Sequence, residues 1–167
     1  MAKARRANAV VERESGDVAA FRDGLHGKRA GENAHLVLLG LRVVDTPALV
    51  ERIHAGLAYA ALERFQRNIA LTMEQLAALI QINPRTLARR RSEGRLASDE
   101  SDRLVRASRL FGKTLALFEG DAGAAREWLA AKAPALGGQT PLSAAQTETG
   151  AREVENLIGK LEHGVFP

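Results

Sequence analysis

The amino-acid composition and the apolar spacing predict an all-α protein. Alanine and leucine dominate this chain of 167 residues, whereas aromatic residues make up only 4% of it. Alanine and leucine have the lowest free-energy cost in a helix, while aromatic residues favour strands. Apolar residues also recur at spacings of three and four in most segments, which is typical of one helix face. With 46% hydrophobic residues, the chain has enough apolar surface for one or two small folded units.

Residues 1–33 are expected to form a flexible basic N-terminal segment. This segment contains seven Lys or Arg residues together with Gly and Ser, and hardly any apolar residues at a regular spacing. Such a composition buries too little apolar surface to order a chain. The segment is interpreted either as a solvated tail or as a basic arm that reaches DNA.

Residues 34–113 are expected to form a helical region. The apolar run at residues 36–44 is compatible with a strand or with a helical turn, because its periodicity does not distinguish the two. Asp45 and Pro47 then match an N-cap and a first-turn proline. The helix that they start carries an apolar stripe and is predicted to continue to about Asn68.

Two short helices joined by a tight turn are predicted at about residues 72–94. Thr72 and Gln75 form the capping-box pattern, which starts the first of these helices. Asn83-Pro84 supplies an N-cap and a first-turn proline for the second helix, and Gly94 ends it. This arrangement is typical of a helix-turn-helix, in which the second helix enters the major groove of DNA.

The second of these helices carries a cluster of arginines, which indicates contact with DNA. Arginine binds guanine with two hydrogen bonds, and threonine contacts base edges or the thymine methyl group. Contacts to phosphates supply affinity without sequence information. We predict base contacts from Arg85, Thr86, Arg89 and Arg90, and phosphate contacts from Arg91 and Arg95. The alternative interpretation is a helical hairpin whose basic face is only solvated.

Residues 114–167 are expected to form a second, smaller helical lobe. A long helix at about residues 98–118 leads into it, and the two lobes are predicted to separate near residues 112–120. Three side chains of this lobe match N-caps: Asp121, Thr140 and Thr147. Trp128, the single tryptophan of the chain, is interpreted as a core residue, since burial of an indole ring is strongly stabilising.

The last helix is predicted at about residues 149–163, with a stop at Gly164. Its apolar stripe is expected to face the core, and four of its charged residues are expected to be exposed: Glu153, Glu155, Lys160 and Glu162. Val165-Phe166 follows the helix stop, and apolar side chains are costly in water. These two residues are expected either to contact a partner protein or to fold back on Leu161 and Trp128.

The distribution of charge predicts two different partners. The net charge is +4, but residues 85–113 hold nine basic residues against four acidic ones. Residues 119–167 hold four basic residues against seven acidic ones. A basic region next to an acidic one indicates nucleic acid as the partner of the first and protein as the partner of the second.

Several classes of protein are excluded by what the sequence lacks. The chain has no cysteine, which rules out disulfides and thiolate metal sites and fits a reducing cytoplasm. Its longest strongly apolar run, Leu36–Leu41, is far shorter than the roughly 20 residues that span a bilayer. No leader peptide is recognised, so we expect a cytoplasmic protein without membrane association.

No catalytic motif points to an enzyme. Gly24–Arg29 lacks the residues of a phosphate-binding loop, and the four histidines are too widely spaced in sequence for a metal motif. The sequence therefore predicts no enzymatic activity, no catalytic or metal-binding residues and no cofactor.

Four groups of residues resemble the C-terminal toxin-binding domain of the Xre/MbcA/ParS antitoxins. They are Phe118 and Gly120 before Trp128-Leu129, then Leu136-Gly-Gly-x-Thr-Pro-Leu142, then Thr147-Glu-x-Gly150, and finally Val154-x-x-Leu157-x-x-x-Leu161-x-x-Gly-Val165. The predicted helix-turn-helix precedes them, which is the order expected for that family.

The resemblance implies an antitoxin of a type II toxin–antitoxin system. Members of this family bind a RES-domain toxin that degrades NAD, and they repress their own operon through the helix-turn-helix. The C-terminal end of the family's antitoxins reaches the mouth of the toxin's active site and blocks it. Carried over to this chain, the toxin-binding residues are Lys160, Glu162, His163, Gly164, Val165 and Phe166.

A homodimer is expected, because helix-turn-helix proteins read palindromic operators as dimers. The alternative function is a free-standing helix-turn-helix transcriptional regulator whose C-terminal lobe mediates dimerisation.

Overall fold

The computed structural model describes residues 16–25 and 33–164, and these residues confirm the predicted all-α fold. Apart from one isolated antiparallel bridge between Ala58 and Arg95, the described ranges contain only helices, turns and loops. The elements are α1 (Gly16–Leu25), a first 3₁₀ helix (Ala34–Leu39), α2 (Thr46–Ala55), α3 (Tyr59–Ile69), α4 (Met73–Leu79), α5 (Pro84–Glu93), α6 (Ser98–Leu117), α7 (Ala122–Ala130), a second 3₁₀ helix (Pro134–Leu136), α8 (Pro141–Ala144) and α9 (Glu148–Glu162).

Side-chain caps start six of these helices at the positions that the sequence predicts. Each capping oxygen accepts a hydrogen bond from a backbone amide three residues later, over 2.9 to 3.1 Å, and the capping residues are Asp45, Thr72, Asn83, Asp121, Thr140 and Thr147. The capping box before α4 is complete, because the Thr72 amide also donates to the Gln75 side chain over 2.9 Å. A cap of this kind stabilises a helix by about 1 kcal/mol.

The predicted single helix ending near Asn68 is wrong, because the chain breaks between α2 and α3. Gly56 at the break has a φ of +80°, and a Cβ on it would lie 2.2 Å from the carbonyl oxygen of Leu96. The Leu57 amide leaves the helical pattern and donates to the hydroxyl of Ser101 over 2.8 Å. Both contacts join residues distant in sequence, so the local apolar spacing does not reveal them.

The apolar run at residues 36–44 begins as a helical turn rather than a strand. Its first part lies in the first 3₁₀ helix, which Gly40 ends in the left-handed region at a φ of +68°. Leu36, Leu38 and Leu39 are all buried. Three buried leucines within four residues are possible because this short helix lies between α1, α3 and α6 and is covered on several sides.

Helix α1 lies inside the segment 1–33 that the composition predicts to be flexible, and for this helix the prediction is wrong. Val18 and Phe21 are buried in the core. Asp17 accepts two hydrogen bonds of 2.6 Å from the guanidinium of Arg64 in α3. Most of the remaining segment lies outside the residues that the structure describes.

Helix α6 is the central element of the fold. Leu104, Phe111 and Leu115 of this helix are fully buried, and the ring of Phe111 meets that of Phe65 edge to face at 6.2 Å. The helix packs against α2, α7, α9 and the first 3₁₀ helix. Buried residues from α1 to α9 form one continuous hydrophobic cluster. The two predicted lobes therefore meet along α6 and share a core.

Gly150, a glycine of the C-terminal motifs, lies where no larger residue fits, and this gives a test of the fold. Its amide donates to the Thr147 cap over 3.0 Å, and a Cβ on it would lie 1.9 Å from the Ala144 carbonyl oxygen. We expect Gly150→Ala to lower the free energy of unfolding by about 1–3 kcal/mol, the usual cost of overpacking. Urea-induced unfolding followed by circular dichroism measures this change.

Gly159→Ala is the matched control, because Gly159 lies in the same helix with nothing within 4 Å of its Cβ position. Alanine there raises helix propensity, so we expect the stability to increase by up to about 1 kcal/mol. Equal stability of the two variants would show that the contact between α8 and α9 is not tight.

Candidate functional site

Helices α4 and α5 form the two helices of the predicted helix-turn-helix. In the turn between them, Ile80 and Ile82 are buried, and the Ile82 amide donates to the carbonyl of Ala77 over 2.8 Å. Gln81, between the two isoleucines, takes a left-handed φ of +54° and is exposed. None of the residues of α5 is buried. The turn is thus anchored in the core, while α5 lies on the surface.

Three of the predicted DNA-contacting arginines are exposed along α5: Arg85, Arg89 and Arg91. The side chain of Arg89 is 60% exposed, and its Nε lies 3.7 Å from a Glu93 oxygen, too far for a hydrogen bond. Thr86, in the first turn, is half-buried. Exposed guanidinium groups at the start and middle of a surface helix can reach base edges and phosphates.

Arg90 lies in a different environment from its neighbours. Its side chain is only 18% exposed, and its guanidinium donates to Glu100 and to Glu93, both over 2.7 Å. The hydrogen bond to Glu100, followed by that to Glu93, raises the pKa of Arg90 above its ordinary value. Glu100 is buried, and the same carboxylate oxygen also accepts the Ala97 amide over 2.7 Å. Arg90 therefore ties α5 to the start of α6.

Arg95 also contacts the protein's own backbone. One of its terminal nitrogens donates to the carbonyl oxygens of Ala55 and Gly56, over 3.0 and 2.8 Å. The backbone bridge next to it adds a hydrogen bond from the Tyr59 amide to the Gly94 carbonyl, over 2.9 Å. The end of the α5 region is thus fastened to the break between α2 and α3. No short-range pattern in the sequence points to this contact.

Three of the four basic residues of α6 pair with acidic residues of α9, while the fourth, Arg103, pairs with Asp99 of α6 itself. Arg109 and Lys113 donate to the Glu155 carboxylate over 3.1 and 2.8 Å, and Arg106 donates to Glu148. Part of the basic excess in residues 85–113 is therefore neutralised inside the molecule. This pairing removes those side chains from the positive surface that the sequence attributes to DNA binding.

Glu155 is one of the residues that the sequence predicts to be exposed, and this prediction is wrong. Its side chain is 17% exposed and faces α6. Burial by itself raises the pKa of Glu155, but the hydrogen bond from Lys113 and the charge of Arg109 outweigh burial and lower it. The pairing depends on the register between α6 and α9, which helical periodicity does not specify.

His35 lies close to this ionic cluster and carries an unpaired buried nitrogen. Its residue is 5% exposed, and its Nε2 has no hydrogen-bond partner among the described residues. Burial, with a smaller effect of Arg109, lowers the pKa of His35 to about 4, although the charge of Glu155 opposes the shift and that of Lys113 adds to it. A neutral imidazole is therefore the stable form of His35 in the folded protein.

The predicted toxin-contacting residues are placed at the exposed end of α9. Lys160, Glu162, His163 and Gly164 are all exposed. Gly164 has a φ of +70°, and its amide donates to the Leu161 carbonyl over 3.1 Å. Val165 and Phe166 lie outside the described residues.

Trp128, interpreted from the sequence as a core residue, is only half-buried. Its indole lies against the ring of Phe118, with the ring centres 6.3 Å apart. The next residue, Leu129, is buried in its place. Which of the two points inward depends on how α7 packs against its neighbours, and the apolar pattern alone does not resolve this.

No cluster of potential metal-ligating side chains occurs among the described residues. Within the same ranges, no helix is both long and apolar enough to cross a membrane.

Two family models match the chain over most of its length. The model for the antitoxin Xre-like helix-turn-helix domain matches residues 48–109, and the model for the antitoxin Xre/MbcA/ParS C-terminal toxin-binding domain matches residues 114–164. The two matches define a class of protein, a regulator that joins a DNA-binding domain to a toxin-binding domain.

Individual relatives agree with these models. The chain is 36% identical to Antitoxin Xre of Yersinia enterocolitica, and the aligned region covers 77% of this chain and 87% of the relative. It is 33% identical to Antitoxin Xre of Photorhabdus laumondii, covering 71% of this chain and 81% of the relative. It is 32% identical to Antitoxin Xre of Pseudomonas putida, covering 73% and 79%. The chain belongs to the Xre family of antitoxins, which are toxin-binding regulators and not enzymes.

His35 provides a test of the electrostatics around α6. A folded-state pKa of about 4, below the ordinary 6.5, means that the unfolded chain takes up a proton first as the pH falls. The stability that depends on a neutral His35 is therefore lost between about pH 6.5 and pH 4, and below that range this histidine causes no further loss. Since one pKa unit corresponds to about 1.4 kcal/mol, the total loss is about 3 kcal/mol. Urea unfolding at a series of pH values measures it.

His35→Gln is expected to abolish this loss, because glutamine does not titrate. His54→Gln is the matched control, because it makes the same substitution at an exposed position. A pH profile that is the same in both variants would contradict the assignment to His35.

Proposed function

We propose that this antitoxin neutralises a RES-domain toxin that degrades NAD, by occluding the toxin's active site, and that it represses its own operon through α5. The observation that carries the proposal is the position of the predicted contact residues. The exposed arginines of α5 lie on the helix-turn-helix, and the exposed residues that follow Gly159 lie on the toxin-binding domain. Both sets lie on the surface of one folded unit with a shared core.

In this proposal α5 is the recognition helix and its arginines divide into two groups. Arg85 and Arg89 contact base edges together with Thr86, and Arg91 contacts a phosphate. Arg90 and Arg95, which the sequence assigns to DNA, act instead as positioning residues. They are engaged with Glu100 and with the Gly56 carbonyl, respectively. Holding α5 at a fixed angle preserves the register in the groove that base contacts require.

Occlusion of the toxin depends on the end of α9. The exposed residues there follow a helix whose inner face is buried through Val154, Leu157 and Ile158. This burial holds α9 in place, so the exposed side chains of its last turn can be presented to a partner with little loss of conformational entropy.

The same proposal includes the cellular setting and the assembly. We infer a cytoplasmic homodimer, because operator recognition by a helix-turn-helix uses two copies of the recognition helix, about one turn of DNA apart.

Substitutions in α5 test the division of the arginines. We expect Arg89→Ala to weaken binding to the DNA upstream of the chain's own reading frame by about 1–3 kcal/mol, the usual value of a bidentate base contact. We expect Arg91→Ala to reduce the slope of log affinity against log salt by about 1, because one phosphate contact is lost. Fluorescence anisotropy over a range of salt concentrations measures both quantities.

Arg90→Ala is the informative comparison in this series. A positioning residue affects the free protein, so this variant should lower the melting temperature as well as the DNA affinity, while the salt slope stays that of the wild type. If Arg90→Ala changes the salt slope as Arg91→Ala does, then Arg90 contacts a phosphate. Unchanged DNA binding in Arg85→Ala and Arg89→Ala would remove α5 as the recognition helix.

Deletion of residues 163–167 tests the occlusion. This variant keeps all of α9 (Glu148–Glu162) and hence every buried residue of that helix. We expect NAD consumption by the toxin to be no longer inhibited, because the occluding residues are lost, whereas the melting temperature should change little. NAD turnover in a mixture of the two purified proteins measures the inhibition.

Thr149→Ala supplies a control for this deletion, since it also removes an exposed side chain of the toxin-binding domain but lies in the first turn of α9, at the opposite end of that helix. Full inhibition by the shortened chain would rule out occlusion by these residues. DNA binding should be the same in all three proteins.

A further inference from the structure

A groove on the C-terminal domain is lined mainly by apolar side chains. It has a volume of about 230 Å³ and lies between α7, the second 3₁₀ helix and α9. Its lining includes Trp128, Lys132, Pro134, Ala135, Leu157 and Leu161. A concave apolar surface of this size can enclose one large aliphatic or aromatic side chain.

Trp128 gives this groove a feature that is typical of protein-binding surfaces. The indole is half-buried, and it lines the groove while it also packs against Phe118. An aromatic ring supported by the core and partly open to solvent is typical of residues that dominate protein interfaces. The core does not require a half-exposed indole at this position, because Leu129 next to it is fully covered.

The position of the groove indicates which molecule occupies it. All of its lining residues fall within 114–164, the part of the chain that matches the toxin-binding domain. Three other cavities in the described part of the chain each include residues outside that range, from α1 or from the loop before α4. Leu161 belongs both to the groove and to the last turn of α9, next to the exposed Lys160 and Glu162. The groove is therefore continuous with the end of α9.

We propose that the groove beside Trp128 receives an apolar side chain of the toxin, as a second contact besides the occluding end of α9. Lys132 is exposed at the groove, which favours a toxin segment that carries an acidic residue next to the apolar one. This inference rests on the proposed function, since it assigns a further surface to the same partner. It places a strong contact on the helical body of the domain, independent of residues 165–167.

The single tryptophan of the chain provides a direct probe of the groove. The full-length antitoxin is produced with 5-fluorotryptophan and mixed with the unlabelled product of the adjacent reading frame. Since Trp128 is the only labelled site, its ¹⁹F resonance reports on the groove alone. We expect the resonance to shift on addition of the toxin and the indole to become less accessible to a solvent relaxation agent. An unchanged resonance in a formed complex would overturn the proposal.

Two other occupants give different results in the free antitoxin. If a second copy of the chain fills the groove, the resonance will change with antitoxin concentration before any toxin is added. If residues 165–167 of the same chain fill it, deletion of those three residues will shift the resonance at any concentration. Either result, together with no further change on toxin addition, contradicts occupation by the toxin.

Ala135→Arg tests the energetic weight of the contact. Ala135 is exposed at the groove, so a long charged side chain there obstructs the groove without entering the core. We expect the affinity for the toxin to fall about ten-fold or more, as for other obstructed interface pockets. Ala60→Arg, at an exposed position of α3 outside the toxin-binding domain, is the control and should bind as the wild type does.

The variants also separate failure of this proposal from failure of the proposed function. If the wild-type chain inhibits the toxin and Ala135→Arg binds it equally well, only the groove assignment is wrong. If the wild-type chain forms no complex with the adjacent gene product, both the proposed function and the groove assignment are wrong. Melting temperatures of the two arginine variants confirm that both are folded.

Discussion

The buried carboxylate of Glu100 provides the interaction on which the position of α5 in the fold depends. It closes the first turn of α6 through the Ala97 amide and holds the Arg90 guanidinium of α5 at the same time. A buried charge is costly unless it is fully paired, so neither contact can be lost without a large penalty. Because α6 also forms the centre of the core, the angle of α5 is set relative to the whole molecule.

Helix α6 links the DNA-binding and toxin-binding domains by more than apolar packing. The matches to the two domains meet within it, since one ends at residue 109 and the other begins at residue 114. Around this junction, Arg106, Arg109 and Lys113 form ion pairs with α9. The helix is continuous through the junction, and its ion pairs join it to α9 of the second domain, so the junction contains no hinge. The two domains are thus fixed to one another through α6 and its neighbours.

The charge distribution shows why a count of basic residues overestimates a nucleic-acid surface. The stretch with nine basic residues contains some that are exposed on α5, some that bind backbone carbonyls and some that form ion pairs with α9. Once these internal contacts are set aside, the remaining exposed positive charge of this stretch lies on α5. These exposed basic side chains therefore belong to one helix of the helix-turn-helix.

The sequence by itself determined the six helix starts that have side-chain caps, the helix-turn-helix and the family resemblance. A cap such as Thr72 with Gln75 is a contact between residues three apart, and local chemistry is sufficient to specify it. Only the tertiary structure decided the break at Gly56, the internal roles of Arg90 and Arg95, and the half-exposed position of Trp128. The first three depend on contacts across ten to 44 residues, and the last depends on how α7 is seated against its neighbours. Helical periodicity identifies the inward face of one helix, but it carries no information on the register of the helix that packs against it.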